Sequence, residues 1–312
     1  MTHQHKNIAL KNPLVSIVIA TYNGEKFLHK QLDSLLNQTY KNFEIIAVDD
    51  CSTDNALDIL NAYAAKYENF IVIKNEQNLG YVKNFEKGFS LAKGSYIAPC
   101  DQDDIWKPNK IEVLLENINE DAIAYCNSAF IDSDDNLTGE HLGDRTNFGD
   151  FDNPLMYVIG ASAPGHAMLI KREVVMNAMP FPVFFSHDNW LGFVATFGGT
   201  VKFVNQVLVH YRRHDSNVFS TVHKRKKIKE TKQQRLEKAQ ERLQTLYEKC
   251  PNYLPEKAIL AQFCKSYEGL SLANNFLRMK LFFQHRDKIL RYKKHSKLHR
   301  NLYCLKVFFK II

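Results

Sequence analysis

Asp101 and Asp103 stand two residues apart in Asp101-Gln102-Asp103-Asp104, a spacing that lets one loop reach both a metal ion and a ribose. A hard divalent cation takes oxygen ligands and clamps phosphate oxygens. Where a nucleotide diphosphate departs, such a cation also stabilises the charge that develops. Acidic clusters alone mean little, because solvated loops are rich in Asp and Asn. This one follows the apolar run Tyr96-Ile97-Ala98-Pro99-Cys100 and precedes Ile105-Trp106, so buried flanks hold it. Three further segments carry chemistry: Asp49-Asp50, Ser186-His187-Asp188-Asn189-Trp190 and Tyr211-Arg212-Arg213-His214. Arginine grips diphosphate oxygens through paired hydrogen bonds, and neutral histidine can complete a metal shell.

The elements that must position these groups alternate. Val15–Ala20 is a short β-branched run that reads as a buried strand, and Glu25–Asn37 places Phe27, Leu28, Leu32, Leu35 and Leu36 at helical spacing. Strands follow at Phe43–Val48, Phe70–Lys74 and Ser95–Ala98, with helices at Thr53–Tyr67 and Tyr81–Ala92 between them. This order predicts an α/β fold, a mainly parallel sheet flanked by helices. Ligands bind beyond the carboxyl ends of such strands. Thr21-Tyr22-Asn23-Gly24, Asp49-Asp50-Cys51-Ser52 and the Asp101–Asp104 cluster stand at those ends, all polar and two of them acidic. Ala122–Phe130 and Val201–His210 read as further strands, with a turn-rich stretch, Asp132–Asp152, between them.

The 312 residues are 45% hydrophobic and 24% charged, an ordinary globular balance. The net charge of +7 is unevenly spread: 18 Lys+Arg face 27 Asp+Glu up to Ser220, and 23 face 7 from Thr221 onward. A body spanning 1–220 and a basic helical region spanning 221–312 are therefore expected. The basic part would meet something anionic, membrane or nucleic acid. Six cysteines without a CxxC pair argue against a structural zinc site. The polar Met1–Lys11 stretch lacks a signal-peptide core, and Lys306 and Lys310 interrupt the C-terminal apolar run. Reduced thiols and a cytoplasmic location are the resulting expectation.

Taken together, Val15–Asn23, Val48–Asp54, Asn78-Leu79-Gly80 with Lys83-Asn84, and Asp101–Trp106 resemble a family 2 glycosyltransferase of the GT-A, Rossmann-like fold, from about Pro13 to Val218. The Asp-Gln-Asp-Asp-Ile-Trp form is similar to the rhamnosyltransferase-like branch. The resemblance implies that Asp50 accepts a hydrogen bond from a pyrimidine, that Thr21 and Asn23 line the nucleotide pocket, and that Asp101 lies near ribose or metal. It implies Asp103 as a direct ligand of Mg²⁺ or Mn²⁺, and Lys83 or Asn84 beside base or diphosphate. For Asp50 the alternative is a helix N-cap shared with Ser52, and for Lys83 a solvated helix face.

Transfer to a hydroxyl needs a base, because an alcohol is a poor nucleophile until its proton leaves. Inverting members place an acidic residue where Asp188 stands, and His187 before it is a variant of the rhamnosyltransferase-like branch. Asp188 could also cap the helix that begins at Trp190, a role compatible with the catalytic one. His214 is a candidate metal ligand. Arg212, Arg213, His187, His166 and Trp106 are candidates for contact with diphosphate or acceptor. No Gln-x-x-Arg-Trp motif occurs, which points to single-sugar addition, and no Gly-x-Gly-x-x-Gly follows the first strand. Cys51 occupies a turn position where the family often has glycine.

The expected activity is inverting transfer of one sugar from dTDP-rhamnose or a UDP-hexose to a glycan or lipid-linked saccharide in surface polysaccharide synthesis. A sugar nucleotidyltransferase and a catalytically lapsed nucleotide-sugar binding module are the rivals. Lys224–Lys249 reads as a long charged helix. Phe282, Phe283, Ile289, Tyr292, Leu298, Leu302 and Phe308, interleaved with Arg291, Lys293, Lys294, Lys297 and Arg300, could form one amphipathic surface helix on an anionic membrane. Packing on the body or pairing in a homo-oligomer is the alternative. Nothing resembles a nucleic-acid fold.

Overall fold

The computed structural model describes residues 12–214 and 230–311. Its first half is the expected alternation: β1 (Val15–Thr21), α1 (Glu25–Leu36), β2 (Phe43–Asp49), α2 (Ala56–Ala64), β3 (Phe70–Lys74), α3 (Tyr81–Leu91) and β4 (Tyr96–Cys100). Then come β5 (Ile105–Trp106), α4 (Lys110–Ile118), β6 (Ile123–Ile131) and β7 (Leu137–His141). They are followed by β8 (Met168–Lys171), α5 (Arg172–Ala178), α6 (His187–Ala195) and β9 (Val201–Arg212). Four helices end the chain: α7 (Lys232–Lys249), α8 (Glu256–Ser266), α9 (Leu272–Ile289) and α10 (Lys297–Phe309).

The strands form one sheet in the order β3-β2-β1-β4-β8-β6-β9-β5, with β7 paired to β6. The sheet is mixed. β1 to β4 run parallel and β6 runs parallel to β9, whereas β8, β5 and β7 join antiparallel. Alternation splits the apolar residues between its faces. Val15, Ile17 and Ile19 pack with Leu28, Leu32, Leu60 and Leu114 of α1, α2 and α4. Val18, Ile46 and Val48 join Phe85 and Phe89 of α3 and the residues of α5 and α6 on the other face.

The order places a topological switch between β1 and β4. From β1 the chain winds outward through β2 and β3, then returns to the far side of β1. A crevice opens where loops leave in opposite directions, and here its walls are Thr21–Gly24 and Asp101–Asp104. Register brings these ends level, with Thr21 opposite Asp49 and Ile19 opposite Cys100.

The C-terminal helices are not a detached appendage. Leu236, Leu243 and Leu246 of α7, Leu260 and Phe263 of α8, and Leu281, Phe282 and Ile289 of α9 belong to the same buried cluster as Phe151, Leu155, Tyr157 and Phe193 of the body. Arg242 of α7 donates to Tyr157 O (2.9 Å) and Asn189 Oδ1 (3.2 Å) and lies over the Phe185 ring. Asn153 donates to Glu256 (2.6 Å), and Arg291 reaches Asp152 (3.1 Å). The single amphipathic helix expected near the C-terminus is two helices, α9 and α10, because Phe282 and Ile289 are drawn into this shared core. The basic cluster Lys224, Arg225, Lys226, Lys227 and Lys229, and the expected boundary at 220/221, lie outside the described residues.

A shared core predicts shared unfolding. Leu246→Ala removes a fully buried side chain and should cost about 2–5 kcal/mol. Urea denaturation followed by far-UV circular dichroism and tryptophan fluorescence should show one coincident transition moved to lower denaturant. Separate transitions for body and C-terminal helices would contradict the shared core.

Candidate active site

The acidic loop is strapped to its neighbours on both sides. Gln102 pairs with the backbone of Tyr22, its Oε1 accepting from Tyr22 N (2.8 Å) and its Nε2 donating to Tyr22 O (3.1 Å). Glycine at position 24 leaves room for this, since a Cβ there would lie 2.3 Å from Gln102 Oε1. On the other side β5 pairs with β9, Ile105 opposite His210 and Trp106 opposite Val209. That pairing carries residues 211–214 back along the acidic loop. Arg212 N donates to Asp104 Oδ1 (3.0 Å), Arg212 Nε donates to Asp103 O (2.8 Å), and His214 Nε2 stands 2.7 Å from Asp103 Oδ2. Phe27 at the start of α1 supports both, its ring 4.4 Å from the Arg212 guanidinium and 4.8 Å from the His214 ring.

Asp103 and His214 thus converge as the two sequence-derived metal candidates. A carboxylate oxygen and an imidazole nitrogen, both only slightly exposed, suit Mg²⁺ or Mn²⁺. A second convergence lies beside it, where the half-exposed Asp101 and the buried Asp104 and His166 offer ligand atoms within 4.8 Å of one another. Its chemistry is less suited to a cation. His166 is buried, stacked on Tyr211 at 4.5 Å, and its Nε2 is shared with Ser128 Oγ (2.9 Å). The buried ammonium of Lys110 lies close by, donating to His166 O (2.6 Å) and sitting 3.1 Å from the Trp106 ring centroid. Burial lowers His166 to about 3, with Lys110 and His187 adding to the effect. Burial also lowers Lys110 to about 8, against the neighbouring thiols and carboxylates.

Asp188 faces the same site from α6. Its Oδ2 accepts from Ser162 Oγ (2.8 Å) and its Oδ1 from Asn189 N (2.8 Å), so it lies in the first turn of α6, after the N-cap Ser186. Asp101 feels it: burial raises the Asp101 carboxyl to about 7, with the charges of Asp103 and Asp188 adding and Lys110 opposing. The half-exposed Tyr81, at the start of α3, is raised first by burial and then by Asp188 and Asp101. His187 turns away from solvent, its ring 4.2 Å from Phe85, and burial lowers its pKa.

Several sequence candidates do structural work. Thr21 is buried, its hydroxyl directed at Val48 O and Asp49 (both 3.3 Å). Asn23 adopts φ 51° and its Oδ1 accepts from Thr53 N (2.7 Å), joining the first two strand ends. Cys51 at φ 64° occupies the left-handed region, which explains why glycine suits that turn. Asp50 does not cap α2, whose entry is satisfied by Asp54 and Glu25. It accepts instead from Leu79 N (2.8 Å), Gly80 N (2.9 Å) and Asn75 (2.7 Å) before α3. Asn84 bonds Val48 O (2.8 Å) and Asn75 (2.9 Å), and Lys83 pairs with Glu86 (2.5 Å).

Two expectations need correction. Arg212 is fully buried, its guanidinium committed to Asp103 O, Asp132 O (2.9 Å) and Asp135 (2.5 Å), so it holds loops together rather than facing a diphosphate. Trp106 lies in the core beneath the loop and lines no acceptor surface. Arg213 is exposed and rests over Phe130 at 5.1 Å. Gln102, Ser162 and Tyr81 were not singled out from sequence. Of these, only Gln102 had a signal, its place inside the acidic run.

The sequence profile described as glycosyl transferase family 2 matches residues 16–177, which contain β1 to β4 and the acidic loop. The chain belongs to glycosyl transferase family 2. Its activity class is therefore glycosyl transfer. It is 29% identical over 229 residues to the uncharacterised glycosyltransferase MJ1057 of Methanocaldococcus jannaschii, covering 70% of this chain and 77% of that one. It is 38% identical over 113 residues to TuaG of Bacillus subtilis, a glycosyltransferase assigned provisionally to teichuronic acid biosynthesis, covering 36% of this chain and 45% of that one. Two solved structures share the fold. S. aureus TarS with UDP-GlcNAc has a TM-score of 0.61 at 17% identity over 88% of this chain and 81% of TarS. Mannosyltransferase PcManGT of Pyrobaculum calidifontis, with GDP-Man and Mn²⁺, has a TM-score of 0.51 at 16% identity over 96% and 81%.

The raised Asp101 carboxyl would make binding of a cation beside it pH-dependent. Its folded pKa of about 7 exceeds the ordinary 3.8. The stability it contributes is complete below about 4 and lost as pH rises through about 7. A cation binding nearby favours loss of that proton. Mn²⁺ affinity, measured calorimetrically with a nucleoside diphosphate, should rise up to about tenfold per pH unit from 6 to 7 and level off above. Asp101→Asn should flatten the slope, and a flat profile in the unmodified chain would contradict it.

Proposed function

We propose that the chain is an inverting, metal-dependent transferase that moves a single sugar from a nucleotide diphosphate donor to a hydroxyl of a saccharide acceptor. The observation that carries this reading is the placement of Asp188 in the same electrostatic site as Asp101 and Asp103, on a different element and held by Ser162. Family membership favours glycosyl transfer over nucleotidyl transfer.

The nucleotide would lie along the strapped ends of β2 and β1, with Asp50 toward the base and Asp101 toward the ribose. Asp103 and His214 would hold Mg²⁺ or Mn²⁺, which when bound offsets the charge of the departing diphosphate. Asp188 takes the proton of the acceptor hydroxyl as its oxygen bonds to the anomeric carbon, while the bond from that carbon to the diphosphate oxygen breaks. Attack opposite the leaving group inverts the centre. Ser162 Oγ and Asn189 N each occupy one site on the carboxylate. They fix its orientation and leave lone pairs on both oxygens for the incoming proton.

Bound UDP-GlcNAc in TarS and GDP-Man in PcManGT support a nucleotide sugar as donor. The form of the acidic loop favours dTDP-rhamnose, with a UDP-hexose the second candidate. The partial likeness to TuaG supports an acceptor in cell-surface polysaccharide synthesis, either a glycan or a lipid-linked saccharide. A cytoplasmic location belongs to the same proposal.

A panel of nucleotide sugars with Mn²⁺ should identify one that is slowly hydrolysed to nucleoside diphosphate. With that donor and an acceptor, Asp188→Asn should lower kcat by about 10²–10⁴ while donor affinity stays within about threefold. Unchanged turnover would remove Asp188 as the base, and release of pyrophosphate would overturn glycosyl transfer.

A further inference from the structure

α10 is apolar on two opposite sides. Its inner side packs Cys304 and Val307 against the protein. Leu298, Leu302, Leu305 and Phe309 recur at i, i+4, i+7 and i+11, one stripe on a helix of 3.6 residues per turn. All four face solvent, at 66%, 52%, 46% and 70% exposure. The stripe continues onto α9, where Phe276 (61% exposed) meets Phe308 edge-on at 6.4 Å and Leu272 is 75% exposed. Contiguous exposed apolar surface of this kind marks an interaction site.

Charge decides the occupant. The last 25 residues, from Lys288, hold eight Lys or Arg and no Asp or Glu. Lys306 on α10 and Lys310 just past its end flank the stripe on one side, and Lys297 on the other. A symmetric contact between two copies would set these cations against one another. An anionic bilayer surface satisfies both features, since acyl chains take the Leu and Phe side chains while headgroups meet the lysines. No helix among the described residues is long and apolar enough to cross a membrane. α10, at 13 residues, spans about 20 Å, which suits lying in the interface.

We propose that α10, with the start of α9, docks this protein on an anionic lipid bilayer by inserting the Leu298, Leu302, Leu305 and Phe309 stripe among the headgroups. The proposal is independent of donor, acceptor and catalytic base.

The test is co-sedimentation of the full chain with vesicles of phosphatidylcholine alone or mixed with phosphatidylglycerol. Binding is expected to the anionic vesicles and to fall with added salt. A variant carrying L298S, L302S, L305S and F309S should bind at least about tenfold more weakly. L137S, which changes another exposed leucine, should bind as the unmodified chain. Charge reversal by K297E, K306E and K310E should also release the protein with the apolar stripe intact, which separates binding from folding. Equal recovery with neutral and anionic vesicles would overturn the proposal, as would undiminished binding by the stripe variant. A dimer by sedimentation velocity that the stripe variant dissociates would assign the face to a second copy instead.

Discussion

Like charge gathered in a small volume is the constraint on which the rest depends. Asp101, Asp103 and Asp104 share one loop at the edge of the sheet, Asp188 on α6 acts electrostatically on Asp101, and water is kept from part of the cluster. Burial, with the charges of Asp103 and Asp101, holds Asp104 well above the usual carboxylate range. The fold answers with cations placed beneath and behind. Lys110 is buried under the loop and Arg212 threads between the loop and the turn at Asp132 and Asp135, while the His214 ring hydrogen-bonds Asp103. These groups offset the repulsion around the loop into which the proposed donor diphosphate and its cation would enter.

The same constraint explains the connectivity. Short strand β5 pairs with β9, two elements separated by about a hundred residues in the chain. Without this zipper the acidic loop would carry its charge alone. With it, the backbone N–H of Arg212 and the ring of His214 arrive at Asp104 and Asp103. The C-terminal helices extend the support to the opposite wall. Arg242 of α7 holds Asn189, the residue after Asp188, and Asn189 in turn bonds Ala161 O beside Ser162. A helix distant in sequence therefore steadies the turn on which the proposed base is mounted.

Much of the first hundred residues was legible. β1 to β4 sit within two residues of where apolar β-branched runs placed them. β1, β2 and β4 are buried strands of a largely parallel half-sheet, which need continuous hydrophobic sequence. The edge strand β3 carries the same β-branched run half-buried. The middle was less so. β8 has four residues and β5 two, too short for any period to register, and only tertiary pairing makes them strands. The acidic loop, Asp188 and His214 were named as candidates from the motifs and the resemblance they carry; in the structure His214 contacts Asp103 and Asp188 acts electrostatically on Asp101. The direction of a side chain was not legible. Thr21, Asn23 and Asn84 match a nucleotide-lining motif by type, yet their hydrogen bonds fasten loops to strands. Arg212 looked like a surface cation because guanidinium groups usually are, and nothing in the sequence announced the carbonyls and the Asp135 carboxylate that justify burying it.

Which histidine would meet a bound cation is the most direct test of the proposed site. Mn²⁺ bound with a nucleoside diphosphate can be examined by electron spin-echo modulation, which detects an imidazole nitrogen coordinated to the metal. The nitrogen modulation should be present in the unmodified chain and in His166→Ala, and absent in His214→Ala. Loss in His166→Ala with persistence in His214→Ala would move the cation to the neighbouring group of Asp101, Asp104 and His166 and contradict the site described.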